Sequence, residues 1–195
     1  MKKDIILAGV GGQGILSMAA IIGTAALDMG LYLKQSEVHG MSQRGGDVSS
    51  HLRISSVDIA SDLIPGGKAD MVISIEPMEG LRYLPMLSNE GWLITNDKPF
   101  NNIATYPEIE DIYAEIAKTP RHIMLNAELI AKEAGTTRAA NVVILGAASF
   151  HLGIEYVKFE DAIRKIFGRK GDAIVDFNLK ALRAGRDYAE NYKNN

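Results

Sequence analysis

Apolar residues enter this chain in two rhythms, short continuous runs and helical stripes. Ile5-Ile6-Leu7-Ala8 is a short run that leads straight into Gly9-Val10-Gly11-Gly12-Gln13-Gly14, and an apolar, proline-free segment follows from Ile15 to Leu27. That order predicts strand, glycine turn and helix. Gly30 then stops the helix, and residues 31–38 predict a second strand. Val48, Ser50, Leu52 and Ile54 alternate imperfectly with Ser49, His51 and Arg53, which predicts an antiparallel or edge strand with one wetter face. Ile59-Ala60 is expected to add a short partner strand. Pro65-Gly66-Gly67 marks a turn, and Asp70 to Ile75 reads as a buried strand. Glu76-Pro77 opens a helix carrying Met78, Leu81 and Leu84, because proline suits the first helical position. Trp92 to Thr95, opened by Gly91, is another short strand, and residues 96–104 are polar and irregular.

The second half shifts to helical spacing. Ile109, Ile112, Tyr113, Ile116 and Ala117 share one face of a helix over 107–118. His122 to Leu125 is a strand, after which Asn126 caps a helix from Ala127 to Ala134 and Gly135 ends it. Residues 139–152 are apolar on nearly all sides, hence a buried helix. Phe159, Ala162, Ile163, Ile166 and Phe167 form a clean stripe. Asp172 caps a long last helix with Phe177, Ala181, Leu182, Tyr188 and Tyr192 inward and Lys180, Arg183, Arg186 and Lys193 outward. Strands alternate with helices, then helices dominate, with no repeat or linker between. The expected architecture is one domain over residues 1–195: a three-layer α/β/α fold with a mixed, mostly parallel sheet, helices on both faces and a helix-rich C-terminus.

Composition narrows the functional classes. The chain has 195 residues, is 47% hydrophobic and carries a formal net charge of −3. Without a basic excess, nucleic acid is not a favoured partner. The absence of cysteine excludes disulfides and any cysteine-held zinc or iron–sulfur site in this sequence. It also suits a reducing or anaerobic cytoplasm, where the protein is expected. Met1-Lys2-Lys3-Asp4 and the short run after it make a poor signal peptide, and the apolar stretch 142–150 is too short to span a bilayer, so no membrane role is expected.

Three features carry candidate chemistry. Gly9-Val10-Gly11-Gly12-Gln13-Gly14 meets the Gly-x-Gly-x-x-Gly dinucleotide template in its strand-to-helix setting. That template also wants an acid near the end of the second strand to hold a ribose; Glu37 is late for it and Lys34 is the nearer residue. Dinucleotide binding, close packing of helix on sheet or subunit, and capture of some other ligand's phosphate all remain open at this turn. Adenylating enzymes share a similar turn, but they add cysteines that this chain lacks. The second feature is the loop Glu37-Val38-His39-Gly40-Met41-Ser42-Gln43-Arg44-Gly45-Gly46. Arg44 offers a bidentate fork for carboxylate or phosphate, His39 can move a proton near neutral pH, and Ser42 and Gln43 can donate hydrogen bonds. The third, Glu76-Pro77-Met78-Glu79, is explained by the helix dipole. His51, His122 and His151 have no metal-ligand spacing and read as structural, and the aromatic residues of the last helix as core or interface.

Taken together, these stretches resemble the gamma-type subunit of 2-oxoacid:ferredoxin oxidoreductases. Gly9-Val10-Gly11-Gly12-Gln13-Gly14-Ile15-Leu16 resembles the family's N-terminal signature, and Ser42-Gln43-Arg44-Gly45-Gly46 its second motif. Lys68-Ala69-Asp70 with Glu76-Pro77, and residues 141–147, resemble two further segments. The Ser-Gln-Arg form is similar to the aryl-pyruvate branch typified by indolepyruvate ferredoxin oxidoreductase, whose small beta subunit matches this chain in kind. The resemblance implies oxidative decarboxylation of a 2-oxoacid such as indolepyruvate to an acyl-CoA, with electrons passed to ferredoxin. Pyruvate, 2-oxoglutarate and 2-oxoisovalerate are alternative substrates, and an independent NAD- or FAD-binding oxidoreductase domain is the rival class. The resemblance assigns thiamine diphosphate, Mg and [4Fe–4S] clusters to a large partner subunit in a hetero-oligomer, leaving the isolated small chain inactive and without a catalytic residue or metal of its own. Its expected cofactor-side residues are Gly9, Gly11, Gly12, Gln13, Gly14, Ser42, Gln43, Arg44, Gly45 and Gly46, facing coenzyme A, the 2-oxoacid or the partner's backbone.

Overall fold

A computed structural model describes residues 1–40, 45–101 and 105–192. Its elements are β1 (Lys2–Val10), α1 (Ile15–Leu27), β2 (Tyr32–His39), β3 (Asp47–Ser55), β4 (Ala69–Ser74), α2 (Pro77–Arg82), β5 (Leu87–Asn96), α3 (Ile109–Ala117), β6 (His122–Leu125), α4 (Ala127–Glu133), α5 (Ala140–Ala148), α6 (Tyr156–Phe167) and α7 (Asp172–Asn191). The strands form one six-stranded sheet in the order β2-β3-β1-β4-β5-β6. β4 pairs parallel with β1 and β5, and β6 parallel with β5, while β3 is antiparallel to both β1 and β2. Only β3 therefore runs against the rest, and the expected mixed, mostly parallel sheet is what forms.

The two faces follow from the period-two alternation of strand side chains. Ile5 and Leu7, Met71 and Ile73, Ile94, and Ile123 and Leu125 point into a large core shared with α1 and α4 to α7. The intervening Ile6, Val72 and Leu93 point into a smaller one closed by Ile112 and Ile116 of α3 and flanked by Met78 and Leu81 of α2. Helices thus cover both faces, which explains why the central strands read as continuous apolar runs.

Several local expectations change. β3 is interior, and the edge is β2. The polar face of β3 is covered by protein: Arg53 Nη1 donates to the carbonyls of Ser61 and Leu63 at 2.9 and 3.0 Å, and His51 Nδ1 accepts from Ile64 N at 3.0 Å. Those bonds hold residues 56–68 as an irregular strap, so Ile59-Ala60 forms no strand. Gly91 lies inside β5, because the pairing with β4 resumes at Leu87 across an irregularity between Ala69 and Met71. Leu84 belongs to a separate 3₁₀ turn, and the buried helix is shorter than its apolar run, ending at Ala148. Gly171, at φ 101°, occupies the cap position of α7 without a side-chain bond, and Asp172 is its first helical residue. Arg186 does not face outward freely. Its guanidinium stacks on Phe150 at 3.8 Å and on Tyr156 at 4.7 Å, and Nη1 donates to Ser149 Oγ at 2.9 Å.

Candidate functional site

The carboxyl ends of the parallel strands converge on one edge of the sheet, and the glycine turn stands at its centre. After β1 the chain reverses over Gly11 to Gly14, with Gly12 at φ 98° and Gly14 at φ 87°, left-handed values that glycine adopts without strain. Gln13 closes the turn from both ends: its N–H donates to the Val10 carbonyl at 3.1 Å, and its Oε1 accepts from Val10 N at 2.8 Å. Gly9 leaves room for that side chain: a Cβ there would lie 2.9 Å from Gln13 Oε1 and 2.8 Å from Ile15 Cδ1, so both side-chain ends would have to shift. Gly14 caps α1 without a side chain, so the first N–H groups of a 13-residue helix are left for a ligand or water.

The second loop is tied to this turn. Gly11 N donates to the Gly46 carbonyl at 2.9 Å, and Gly40 N to the Asp47 carbonyl at 2.8 Å. His39, Gly40 and Val48 then line one cleft of about 650 Å³ with Val10, Gly11, Gly12, Gly14, Ile15 and Leu16. The structure thus brings Gly9 to Gly14 together with His39, Gly45 and Gly46, while Ser42, Gln43 and Arg44 lie outside the described residues. Gly45, at φ 86°, turns the chain into β3. Leu16, 54% exposed, lends this cleft an apolar margin.

Sheet topology bears directly on the dinucleotide reading. The neighbours of β1 are β3 and β4, so β2 and its Glu37 stand two strands away from the glycine turn. At about 4.8 Å per strand that is roughly 10 Å, on the far side of an antiparallel strand. Glu37 is engaged there by His39 Nε2 and Gln35. The ribose-binding acid of the template has no counterpart at this turn among the described residues.

Other polar groups at this edge are spent on structure. Glu76, 1% exposed, caps α2 by accepting from Glu79 N at 2.8 Å, and also takes the Phe100 N–H at 3.3 Å and the Tyr106 hydroxyl. The acid pair does more than answer a helix dipole; Glu76 anchors the segment after β5. Burial pushes the Glu79 carboxyl up, against the opposing pull of its Arg82 bond at 2.9 Å. Asn96 bridges Ile75 O, Ala127 N and Glu128, joining the ends of β4, β5 and α4. Sequence reasoning missed these anchors, whose one visible signal is a polar residue at the carboxyl end of an apolar strand. It also missed Asn141, whose Nδ2 donates to the Gly14 carbonyl at 3.1 Å from the start of an otherwise apolar helix. The scattered histidines are structural as expected: His51 holds the strap, His122 contacts the Thr119 carbonyl, and His151 stacks on Trp92 at 3.9 Å.

A family model described as pyruvate ferredoxin/flavodoxin oxidoreductase matches residues 4–188. The chain belongs to that family. It is 43% identical to an indolepyruvate oxidoreductase subunit IorB of Archaeoglobus fulgidus over 97% of this chain and 96% of that protein. It is 30% identical to a 2-oxoglutarate synthase subunit KorC of Methanothermobacter thermautotrophicus over 96% of this chain and 95% of that protein. The fold matches the gamma subunit of a keto/oxoacid ferredoxin oxidoreductase from Geobacter sulfurreducens with TM-score 0.71, 24% identity and coverage of 97% and 99%. In this family member no described helix is long and apolar enough to cross a membrane.

Proposed function

We propose that this chain is the small subunit of an indolepyruvate-type ferredoxin oxidoreductase, one domain over 1–195 that completes the site of a large partner. The observation that carries this reading is the 43% identity, end to end, to an indolepyruvate oxidoreductase subunit, against 30% to a 2-oxoglutarate synthase subunit of equal coverage. In the overall reaction the 2-oxoacid loses CO₂, its carbonyl carbon is oxidised to the acyl level, coenzyme A sulfur takes the acyl group, and two electrons reduce two ferredoxins.

The donor set of this chain does not suit the redox groups. It has no cysteine for a [4Fe–4S] cluster, and among the described residues no group of three or more histidine or acidic residues is placed to hold a metal. Thiamine diphosphate, its Mg and the clusters are accordingly assigned to the large subunit. What this chain offers is geometry and charge. The free N–H groups at the start of α1 favour an anionic group at Gly12 to Gly14. Ser42, Gln43 and Arg44 precede in sequence the Gly46 that bonds Gly11, and their chemistry suits coenzyme A or the substrate carboxylate. The exposed Leu16 at the cleft margin suits contact with the partner.

The test is co-expression with the large partner and a comparison of ferredoxin reduction with indolepyruvate, pyruvate, 2-oxoglutarate and 2-oxoisovalerate. Highest kcat/KM for the aryl substrate is expected, and a clear preference for another acid overturns the branch assignment. Arg44→Ala in the intact complex is expected to raise KM for coenzyme A or the 2-oxoacid; unchanged kinetics removes the ligand role of that loop. Tight binding of NAD(H) or FAD by the chain would favour the rival class.

A further inference from the structure

The two edges of the sheet are unlike. β6, at one end, has four residues, and the Tyr188 hydroxyl donates to its Met124 carbonyl at 3.1 Å. β2, at the other end, has eight residues without proline and pairs with β3 in an unbroken register. A long, regular edge presents a row of backbone donors and acceptors, which proteins otherwise shorten, bend or cover.

The ladder decides which groups of β2 point outward. Gly40 N donates to the Asp47 carbonyl at 2.8 Å, a pair that continues the register in which His39 faces Val48. On the other side of β3, Gly11 N donates to the Gly46 carbonyl at 2.9 Å, which continues the register of β1 with β3. Odd-numbered residues of β3 therefore bond to β2 and even-numbered ones to β1. Their partners in β2 are Tyr32, Lys34, Ser36 and Val38, so the N–H and C=O groups of Leu33, Gln35 and Glu37 point away from the sheet. Among the described residues no strand takes them up. The same edge is apolar at both ends, with Tyr32 52% and Val38 59% exposed. Both share a face with Lys34, whose Nζ reaches the Ala60 carbonyl of the strap at 3.3 Å.

We propose that β2 pairs antiparallel with β2 of a second copy of this chain, about a two-fold axis through Gln35. An axis normal to the sheet keeps every side chain on its own face, so only positions of like parity can meet. Registers centred on Lys34 or Glu37 set like charges opposite each other, and one centred on Ser36 sets Val38 against Lys34. The register centred on Gln35 avoids all three. Tyr32 meets Val38 of the second copy, Lys34 meets Ser36, and Leu33 meets Glu37. Leu33, Gln35 and Glu37 then form the hydrogen-bonded pairs with their outward groups. Tyr32 and Val38, paired twice by symmetry, occupy the non-hydrogen-bonded positions, where side chains approach closest. An aromatic residue opposite a β-branched one is a favourable cross-strand pair. The edge is thus complementary to itself in backbone, charge and apolar surface, which is why a second copy is its occupant.

The chain has no cysteine, so an introduced one reports its own neighbours. The experiment uses the full chain, alone and in complex with the large partner, mildly oxidised and run on a denaturing gel without reductant. Opposed Cα atoms stand about 5.5 Å apart in a hydrogen-bonded pair and about 4.5 Å apart in the other kind, both within disulfide reach. Gln35→Cys is expected to link two small chains across the axis, and the double variant Tyr32→Cys, Val38→Cys to link them at both ends. Each of the latter substitutions alone is a control, because both positions are exposed but six residues of offset put each about 20 Å from its own counterpart. The single variants should link less by about tenfold or more. Adding Gln35→Pro to the double variant should cut the cross-link by about tenfold or more, because it removes an outward N–H and no bond to β3. The large partner should stay bound to that variant, which a misfolded chain would not achieve. The proposal is overturned if Gln35→Cys and the double variant give no dimer of small chains, or if the single variants link as well as the double one. A link from Gln35→Cys to the large subunit also overturns it, and makes a strand of that subunit the occupant. None of these outcomes depends on which 2-oxoacid the complex oxidises.

Discussion

The seam between α5 and α7 sets the sign and the size of one stability prediction. The two helices approach so closely that each presents a glycine to the other's backbone. A Cβ on Gly185 would lie 1.9 Å from the Val143 carbonyl oxygen, and one on Gly146 would lie 2.1 Å from the Leu182 carbonyl oxygen. Neither obstacle is a side chain that can rotate away. In Gly185→Ala, ordinary contact requires that separation to grow from 1.9 Å to at least 3.4 Å, a displacement of about 1.5 Å. Gaps of that size forfeit much of the dispersion between the apolar residues flanking the seam, among them Val142, Leu145, Ala181 and Leu182. Overpacking costs about 1–3 kcal/mol and occasionally more, and a backbone obstacle puts this site at the upper end, about 3 kcal/mol. Against it stands the gain from replacing glycine in a helix, about 1 kcal/mol. The net loss is about 2 kcal/mol or more, which for a chain of this size lowers Tm by about 4–8 °C. The assay is thermal and urea unfolding of parent and variant in the same state of assembly, with the urea slope checked for constancy. Gly168→Ala is the control, because a Cβ there meets nothing within 4 Å; it should stay within about 0.5 kcal/mol of the parent. Equal or higher stability of Gly185→Ala would refute the packing argument.

Two further predictions concern buried charge. Asp4, 1% exposed, accepts from Arg53 Nε and Nη2 at 2.7 and 3.0 Å, so Arg53→Met leaves the carboxylate with Lys2 alone, at 2.9 Å, and should cost about 3 kcal/mol in urea unfolding. Burial would raise the Asp4 carboxyl, but hydrogen bonds and charge from Arg53 and Lys2 outweigh it and hold it below the ordinary value. Its contribution is therefore present above the unfolded carboxylate pKa and lost as pH falls through the lower folded value; Asp4→Asn should remove that part of the acid limb, and an unchanged limb would count against it. His51 is held below its ordinary pKa by burial first and the Arg53 charge second, against the opposing effect of Asp62. The unfolded chain takes the proton first, so stability should decline as pH drops below about 6.5. His51→Gln should flatten that decline, read as the urea midpoint between about pH 7.5 and 5, with His151 contributing a slope of the same sign.

The layers of the fold were legible because burial on two sides leaves a plain mark. Ile5 to Ala8, Met71 to Ile75 and Leu93 to Thr95 carry no wet face, and strands of that kind belong to a sheet covered by helices on both sides. The helical stripes of α3, α6 and α7 were equally visible, since each buries one face only. What did not show was every feature set by a distant partner. Arg53 looked solvated and is instead the clamp of a strap that reaches it from Ser61 and Leu63. Arg186 looked like a surface charge and is folded onto two aromatic rings. Neither sequence position differs from an ordinary polar one until the third dimension supplies its neighbour.

The site divides along the same line. The glycine turn was legible because its shape is written in local backbone demands, at Gly12 and Gly14. Its use was not, because the dinucleotide template depends on which strand lies beside β1, and that is a matter of sheet order. Insertion of antiparallel β3 carries Glu37 out of reach and puts the Gly46 carbonyl against Gly11. The same insertion brings Gly46 back to the turn, and the Asn141 bond to Gly14 brings the start of α5 to its other side. A turn so held from both sides keeps its helix N–H groups available while losing the ribose partner. The sheet order, rather than the glycine pattern itself, is therefore what decides against the dinucleotide template here.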